Sequence, residues 1–441
     1  MMIDNFDLKQ LVEPLQNWFQ GNARVLPWRE NPQAYYVWIS EIMLQQTRVE
    51  AVKPYFDRFI RELPDVKSLA ECPEDKLLKL WEGLGYYNRV RNLKVAANQI
   101  LEEYGGVVPS EYEELLKLKG IGHYTAGAVA SIAYGKAVPA VDGNVLRVIS
   151  RVTADDSDIM KQSVRTHMEN KLLELMTGSA GRKEVPDIGQ KMCVESENVD
   201  SLSENEMSEV ELIPSVFNQA LMELGATVCL PNGAPRCEAC PWQDICEAKK
   251  QDKIMELPVK KKAKARRIEE KTVLILKDGT QLALHKRPKK GLLAGMYELP
   301  NVDGHLSEDE VLSYIKAQGY VPMRVQQVCD AKHIFSHVEW HMKGYVVFLQ
   351  AGEYAESVQD NAASEHDVKG MQEETVAKHD VKSMQEEIIA KKNEKCQQRK
   401  EDWIFVEPME TKNQYAIPSA FVKYTEYLNL TIGKEAIQEQ G

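Results

Sequence analysis

No apolar stretch of the 441-residue chain approaches the roughly 20 residues needed to span a bilayer. The opening MMIDNFDLKQ is polar and acidic, without the basic n-region and apolar core of an export signal. An intracellular, cytoplasmic protein with no membrane contact is expected. Positive charge is also short: 55 Lys and Arg stand against 67 Asp and Glu, a net charge of −12, which at first argues against nucleic acid. The acidic excess is local, however. Residues 183–211 hold nine acids against two lysines and residues 352–400 hold eleven acids against eight Lys or Arg, so these two segments carry −10 of the −12. What remains is nearly neutral and can present basic faces, such as Arg89, Arg91 and Lys94, or the cluster Lys260, Lys261, Lys262, Lys264, Arg266 and Arg267.

Cysteine is sparse, and four of the eight crowd together: Cys229, Cys237, Cys240 and Cys246 are spaced C-x7-C-x2-C-x5-C, while Cys72, Cys193, Cys329 and Cys396 are scattered. An intracellular disulfide framework is not expected, so a metal site leads. Structural zinc usually pairs two short Cys-x-x-Cys knuckles and only one is present; four thiolates also hold iron–sulfur clusters.

At this length the chain can fold as two or three domains with real cores. Residues 7–19 read as an amphipathic helix through Leu8, Leu11, Val12, Leu15, Trp18 and Phe19. After the loop Leu26-Pro27-Trp28-Arg29, the segment YYVWISEIMLQQTRVEAVKPYFDRF reads as one or two helices with Trp38, Ile39, Ile42 and Met43 inward and Glu41 beside them. WEGLGYYNRVRN leads into a helix from Asn88 to Tyr104 that stops at Gly105-Gly106.

The stretch from Leu118 to Val145, LKGIGHYTAGAVASIAYGKAVPAVDGNV, is the centre of the chain. A short helix from Tyr112 ends at Gly120 and another runs from about Tyr124 to Tyr134, so Gly120 and Gly122 occupy a turn between two helices. Glycine takes positive φ cheaply, and such a turn aims N–H groups and a helix N-terminus at an anion without reading sequence. Val145, Leu146, Val148, Ile149 and Val152 form the apolar face of the next helix, which puts Asp142 at its N-cap, where the helix dipole and orphan N–H groups hold a carboxylate ionised. Each feature alone is a common turn.

LKGIGHYTAGAVA followed by VPAVDGNVLRV, together with SEIMLQQTRVE, resembles the helix-hairpin-helix DNA glycosylases, and closely the adenine glycosylases of the MutY type. The resemblance implies that Glu41 is the catalytic acid, that Asp142 stabilises the developing cation, and that Tyr124 and Asn144 orient this pair and the water. It places Arg29, Gln46, Thr47, Gly120 and Gly122 among substrate or DNA contacts, makes Tyr86 a wedge beside the lesion, and sets Gln219 and Met222 near the adenine pocket. Bifunctional relatives carry a Schiff-base lysine where this chain has Tyr124. The family also holds one 4Fe-4S cluster on C-x6-C-x2-C-x5-C, from which this chain departs by one residue in LPNGAPR. That implies Cys229, Cys237, Cys240 and Cys246 as ligands in a structural role, with zinc as the alternative.

In the C-terminal half, TVLILKDGTQLALHKR reads as a hairpin through its Asp-Gly turn. A helix follows over Ser307 to Gln318, with Ser307 and Glu310 as a capping box, and strands are expected over Met323–Val328, Trp340–Leu349 and Asp402–Val406. With GLLAGMYELP ahead of the helix, this half resembles the Nudix-like domain of MutY-type enzymes. The helix EDEVLSYIKAQG lacks the Arg-Glu and Glu-Glu pairs with which a Nudix hydrolase holds magnesium, so hydrolysis there is not expected. HIFSHVEW matches the family's 8-oxoguanine loop and implies Phe335, Ser336 and His337 as readers.

The expected architecture is multidomain. An all-α helix-hairpin-helix domain covers 1–250, with the hairpin over about 112–134, the cluster loop over 229–246 and an acidic insertion over about 177–211. A basic linker spans 251–268, and an α/β Nudix-like domain spans 269–441 with an insertion over about 352–400 that contains the tandem repeat 366–378 and 379–391. The implied function is hydrolysis of the N-glycosidic bond of adenine opposite 8-oxoguanine or guanine, with little lyase activity. The partner is double-stranded DNA, and the protein is expected to be monomeric, nucleoid-associated if bacterial. Two alternatives remain at this point: a glycosylase-lyase for oxidised pyrimidines, against which the absent lysine at 124 speaks, and a non-enzymatic lesion binder or redox sensor, which would need neither Glu41 nor Asp142.

Overall fold

The computed structural model describes residues 1–179, 211–260, 265–354 and 402–428. Most of both expected insertions, including the tandem repeat, and Lys261, Lys262 and Lys264 of the basic cluster lie outside the described residues. The chain forms two compact units, Met1–Lys264 and Ala265–Gly441.

The first unit is helical: α1 Val12–Asn22, α2 Pro27–Glu30, α3 Ala34–Leu44, α4 Val49–Glu62, α5 Val66–Glu71, α6 Glu74–Leu80, α7 Asn88–Tyr104, α8 Tyr112–Lys117, α9 His123–Tyr134, α10 Gly143–Val152, α11 Gln162–Ser179, α12 Pro214–Thr227 and α13 Glu247–Lys250. The expected one or two helices around Glu41 are two, α3 and α4, separated at Gln45–Arg48. Helix α3 is buried at Tyr35 and at every residue from Val37 to Met43, the pattern of a helix enclosed on nearly all sides. It packs on α9, which packs on α12, which packs on α10. One core cluster joins Leu11 just before α1 and Leu15 of α1, Val145 and Ile149 of α10, Met168 and Leu172 of α11, and Phe217 and Leu221 of α12. Trp242 closes it, donating its indole N–H to the Leu11 carbonyl (3.1 Å).

The start of the expected linker is part of this unit. Leu257 is buried against Ala154 and Ala248, Arg151 Nε donates to the Leu257 carbonyl (2.9 Å), and the Ile159 amide donates to the Val259 carbonyl (3.2 Å). The charge run hid an apolar anchor, Leu257 with Ile254 beside it, where the Leu257 carbonyl is hydrogen-bonded in place. The division between units falls at 264/265, and the first strand opens at Arg267.

The second unit is a seven-stranded mixed sheet of β1 Arg267–Asp278, β2 Gln281–Lys286, β3 Tyr297–Glu298, β4 Asn301–Asp303, β5 Tyr320–Ile334, β6 Val338–Tyr354 and β7 Trp403–Val406. The path runs β3-β2-β1-β6-β5, with β4 paired to β1 and β7 to β2; β1 and β6 are parallel and the other pairs antiparallel. Within β1, Val273–Leu276 reads as an unbroken apolar run because both faces of the strand are covered there. Leu274 and Leu276 meet α14 (Glu308–Ala317) through Val311 and Ile315, while Val273 and Ile275 meet Phe421 and Tyr424 of the 3-10 segment Ser419–Tyr427. The short α15 (Pro408–Asn413) precedes that segment. The capping box at Ser307 and Glu310 forms as expected. Strands β5 and β6 run well beyond their expected bounds, since β5 lies at an end of the strand path and its polar residues face solvent with no apolar alternation to mark it.

Candidate active site

Two carboxylates reach one place from different helices. Glu41 lies in the last turns of the enclosed helix α3 and is 5% exposed. Its Oε2 accepts a short hydrogen bond from the Tyr124 hydroxyl, which also contacts the Met222 sulfur at 3.3 Å. Burial pushes the Glu41 pKa from an ordinary 4.5 up to about 7; the Tyr124 hydrogen bond pulls it down, the charge of Asp142 pushes it up, and Arg29 pulls it down. The Tyr124 phenol is held protonated well above its usual range, first by burial and then by the charges of Glu41 and Asp142.

Asp142 is the N-cap of α10, as its position before the apolar face predicts. Oδ1 accepts from the amides of Asn144 and Val145, both at 2.8 Å, and Oδ2 accepts from Asn144 Nδ2 at 2.7 Å. These bonds favour the ionised form, yet burial outweighs them and the pKa lies above that of an ordinary aspartate. The cap's pull toward the ionised form, expected from its position, is therefore opposed by burial.

Asn144 also accepts from Arg147 Nη2 (2.9 Å), and Arg147 reaches on to the carbonyls of Gly225 (2.7 Å) and Cys229 (2.9 Å). Gly225 permits this approach: a Cβ there would lie 2.6 Å from the Asn144 Cβ. One turn further along α10, Arg151 Nη1 donates to the Cys229 sulfur (3.3 Å) and the Leu230 carbonyl (2.9 Å). Cys229, Cys237, Cys240 and Cys246 line one cavity with Arg151, Val228 and Pro235. All four thiols are free, and among the described residues no group of three or more His, Cys, Asp or Glu is set to hold a metal ion.

The hairpin turn needs one special glycine, not two. Gly120 has φ +80, and a Cβ there would also meet the Asn92 side chain at 2.6 Å, whereas Gly122, the N-cap of α9, has φ −103 and open space around it. Gln46 and Tyr86 are exposed residues in left-handed backbone, with φ of 59 and 49. Thr47 is half-buried, its hydroxyl 3.4 Å from the Gln45 carbonyl. Gln219 turns to its own helix, donating to the Ser215 carbonyl (3.1 Å).

Arg29 does not stand free. Together with Arg24 it clasps Glu223 of α12, with Arg29 Nη2 to Oε2 at 2.9 Å and Arg24 Nε to Oε1 at 2.5 Å. Burial acts to raise the Glu223 pKa, but the two arginines hold it below the ordinary value. Sequence reasoning missed Glu223 and Arg147. A charged residue in a helical segment reads as solvated, and the one available signal was that each lies within a strongly apolar stretch, MEL and VLRVI.

In the second unit, Phe335, Ser336 and His337 form the tight turn joining β5 and β6, closed by the Phe335 amide to the Val338 carbonyl (2.8 Å). Ser336 and His337 are exposed and 3.0 Å apart, while the Phe335 ring packs edge-on against buried Trp340 at 5.0 Å.

A family profile described as HhH-GPD superfamily base excision DNA repair protein matches residues 39–174, and one described as NUDIX domain matches residues 272–427. The adenine DNA glycosylase of Mus musculus is 30% identical over 404 residues, covering 78% of this chain and 72% of that protein. The adenine DNA glycosylase of Buchnera aphidicola subsp. Schizaphis graminum is 31% identical over 334 residues, covering 76% of this chain and 86% of that protein. Among solved structures, that of a thermostable thymine-DNA glycosylase is 25% identical, covering 55% of this chain and 96% of that one with a TM-score of 0.43. With similarity that covers more than two thirds of these relatives and extends into both units, the chain belongs to the adenine DNA glycosylase family.

Proposed function

We propose that this protein removes adenine opposite 8-oxoguanine or guanine in duplex DNA, cleaving the N-glycosidic bond with water. The observation that carries the reading is a buried glutamic acid poised to titrate near pH 7, held by a tyrosine hydroxyl and within the field of a second, N-capping carboxylate. Adenine leaves the stack at a cost of about a few kcal/mol, less for a mispair. As a base it leaves poorly until protonated. Glu41, neutral for part of the time at physiological pH, delivers a proton to N7. Asp142, ionised, then stabilises the positive charge that grows at C1′, in the two-carboxylate logic of glycoside hydrolysis. Tyr124 fixes the Glu41 carboxyl, Asn144 fixes that of Asp142, and Glu41 returns as the base for the incoming water. Position 124 offers no amine for a Schiff base, so lyase activity is low.

Cys229, Cys237, Cys240 and Cys246, whose thiols line one cavity, would hold a 4Fe-4S cluster as its ligands. When bound, such a cluster clips the loop 229–246 into a fixed shape. Arg151, which donates to the Cys229 sulfur, would help hold that ligand in position. The exposed turn Phe335-Ser336-His337 reads the base opposite adenine, with Phe335 steadied on Trp340.

Duplexes carrying adenine opposite 8-oxoguanine, guanine or thymine, and one carrying an oxidised pyrimidine opposite guanine, test this reading by chromatography of released base, with borohydride trapping alongside. Free adenine from the first two and no trapped protein–DNA adduct are expected. Release of an oxidised pyrimidine, or efficient trapping, contradicts it.

A further inference from the structure

Arg89 stands in the first turn of α7 but spends its guanidinium elsewhere. Nη1 donates to the carbonyls of Ile42 (2.7 Å), Met43 (3.0 Å) and Gln45 (2.6 Å), and Nη2 to those of Leu84 (3.2 Å) and Gly85 (3.1 Å). The rings of Trp81 and Tyr86 lie 5.4 and 5.5 Å from its Cζ. No carboxylate is among these partners. The residue is half-buried, and its compensation comes from carbonyl dipoles, including those that end α3 one and two residues after Glu41.

Three of these acceptors, Ile42 and Met43 in the last turn of α3 and Gln45 just past it, hold the exit from α3, which continues through Gln45–Arg48; the other two, Leu84 and Gly85, lie in the turn Leu84–Tyr87. Each loop carries one non-glycine residue in left-handed backbone, Gln46 and Tyr86, and each of these side chains is exposed. Such backbone persists only where its surroundings over-determine it. One planar, five-donor fork beneath both loops does so, whereas an ammonium is a point charge.

We infer that Arg89 is a positioning residue that locks these two loops into one unit, so that Gln46 and Tyr86 meet DNA as a pair in fixed register with Glu41. The role in excision rests on the function proposed above; the locking itself does not.

The test therefore begins without DNA. Amide hydrogen exchange is compared in wild type, Arg89→Lys and Arg89→Met over 42–48 and 83–88, with 145–152 of α10 as control. Exchange should quicken in both loop segments together, in both variants, and stay unchanged in the control. Quickening of one loop alone, or of the control equally, overturns the locking. Single-turnover excision with saturating enzyme should then fall about 10- to 100-fold in both variants, as small misplacements of reacting groups do, with a smaller loss of duplex binding. Full rescue by lysine would mean that charge alone matters and would overturn the positioning role.

A cycle that leaves Arg89 intact guards against misfolded variants. Gln46→Ala and Tyr86→Ala should weaken mispair binding by less in combination than the product of their separate effects, because the loops move as one. Independent, multiplying effects count against the inference. If wild type releases no adenine at all, the functional reading fails while the exchange result still decides the locking.

Discussion

Replacing Glu41 with glutamine should stabilise the protein as pH rises while abolishing its chemistry. Folding raises the Glu41 pKa from 4.5 to about 7. The contribution of this group to stability is thus fully present below pH 4.5, declines as pH rises toward 7, and is lost above it. At about 1.4 kcal/mol per pKa unit, the ionised folded state at pH 8 forfeits about 3 kcal/mol relative to pH 4.5. Glutamine does not titrate, keeps an oxygen to accept the Tyr124 hydroxyl, and escapes the loss. Thermal unfolding of wild type and Glu41→Gln at pH 4.5 and pH 8 isolates the effect, because other titrating groups are common to both proteins. The variant's midpoint relative to wild type should rise by roughly 5 °C between the two pH values. An equal difference at both, or one that shrinks with pH, would refute a buried carboxyl of raised pKa.

Tyr124→Phe removes the hydrogen bond that lowers the Glu41 pKa, so the alkaline limb of the excision-rate profile should move upward from its position near 7; a limb that stays or falls argues against Glu41 as the acid. Gly225→Ala would set a methyl 2.6 Å from the Asn144 Cβ. It should cost about 1–3 kcal/mol by overpacking and slow excision more than it weakens duplex binding, as kinetics and binding measured on the same preparation will tell. Cys229→Ser should lower bound iron and visible absorbance; zinc in wild type in place of iron would contradict the cluster.

Several of these features were legible because they are local. The helix Asn88–Tyr104, the N-cap role of Asp142 and the Ser307/Glu310 box each follow from residues a few positions apart. The four cysteines were legible by spacing. What escaped depends on distant partners. Nothing in SEIMLQQTRVE marks the end of α3, since no glycine or proline is there, and the carbonyls that close it are taken by Arg89, more than forty residues on. Glu223 looks like a surface acid until Arg24 and Arg29 close around it. Leu257 was masked by the lysines beyond it, and the length of β5 by its own polarity. Gly120 and Gly122 looked equivalent, but only the first has the backbone that requires glycine.

The most direct test of the account is single-turnover adenine release from a duplex holding adenine opposite 8-oxoguanine, run with wild type, Glu41→Gln and Asp142→Asn, with duplex binding measured on each. Excision by wild type, together with tight binding and no release by either variant, is the predicted result. Release by either variant at the wild-type rate, or a wild type that binds the mispair and frees no adenine, would contradict the two-carboxylate site.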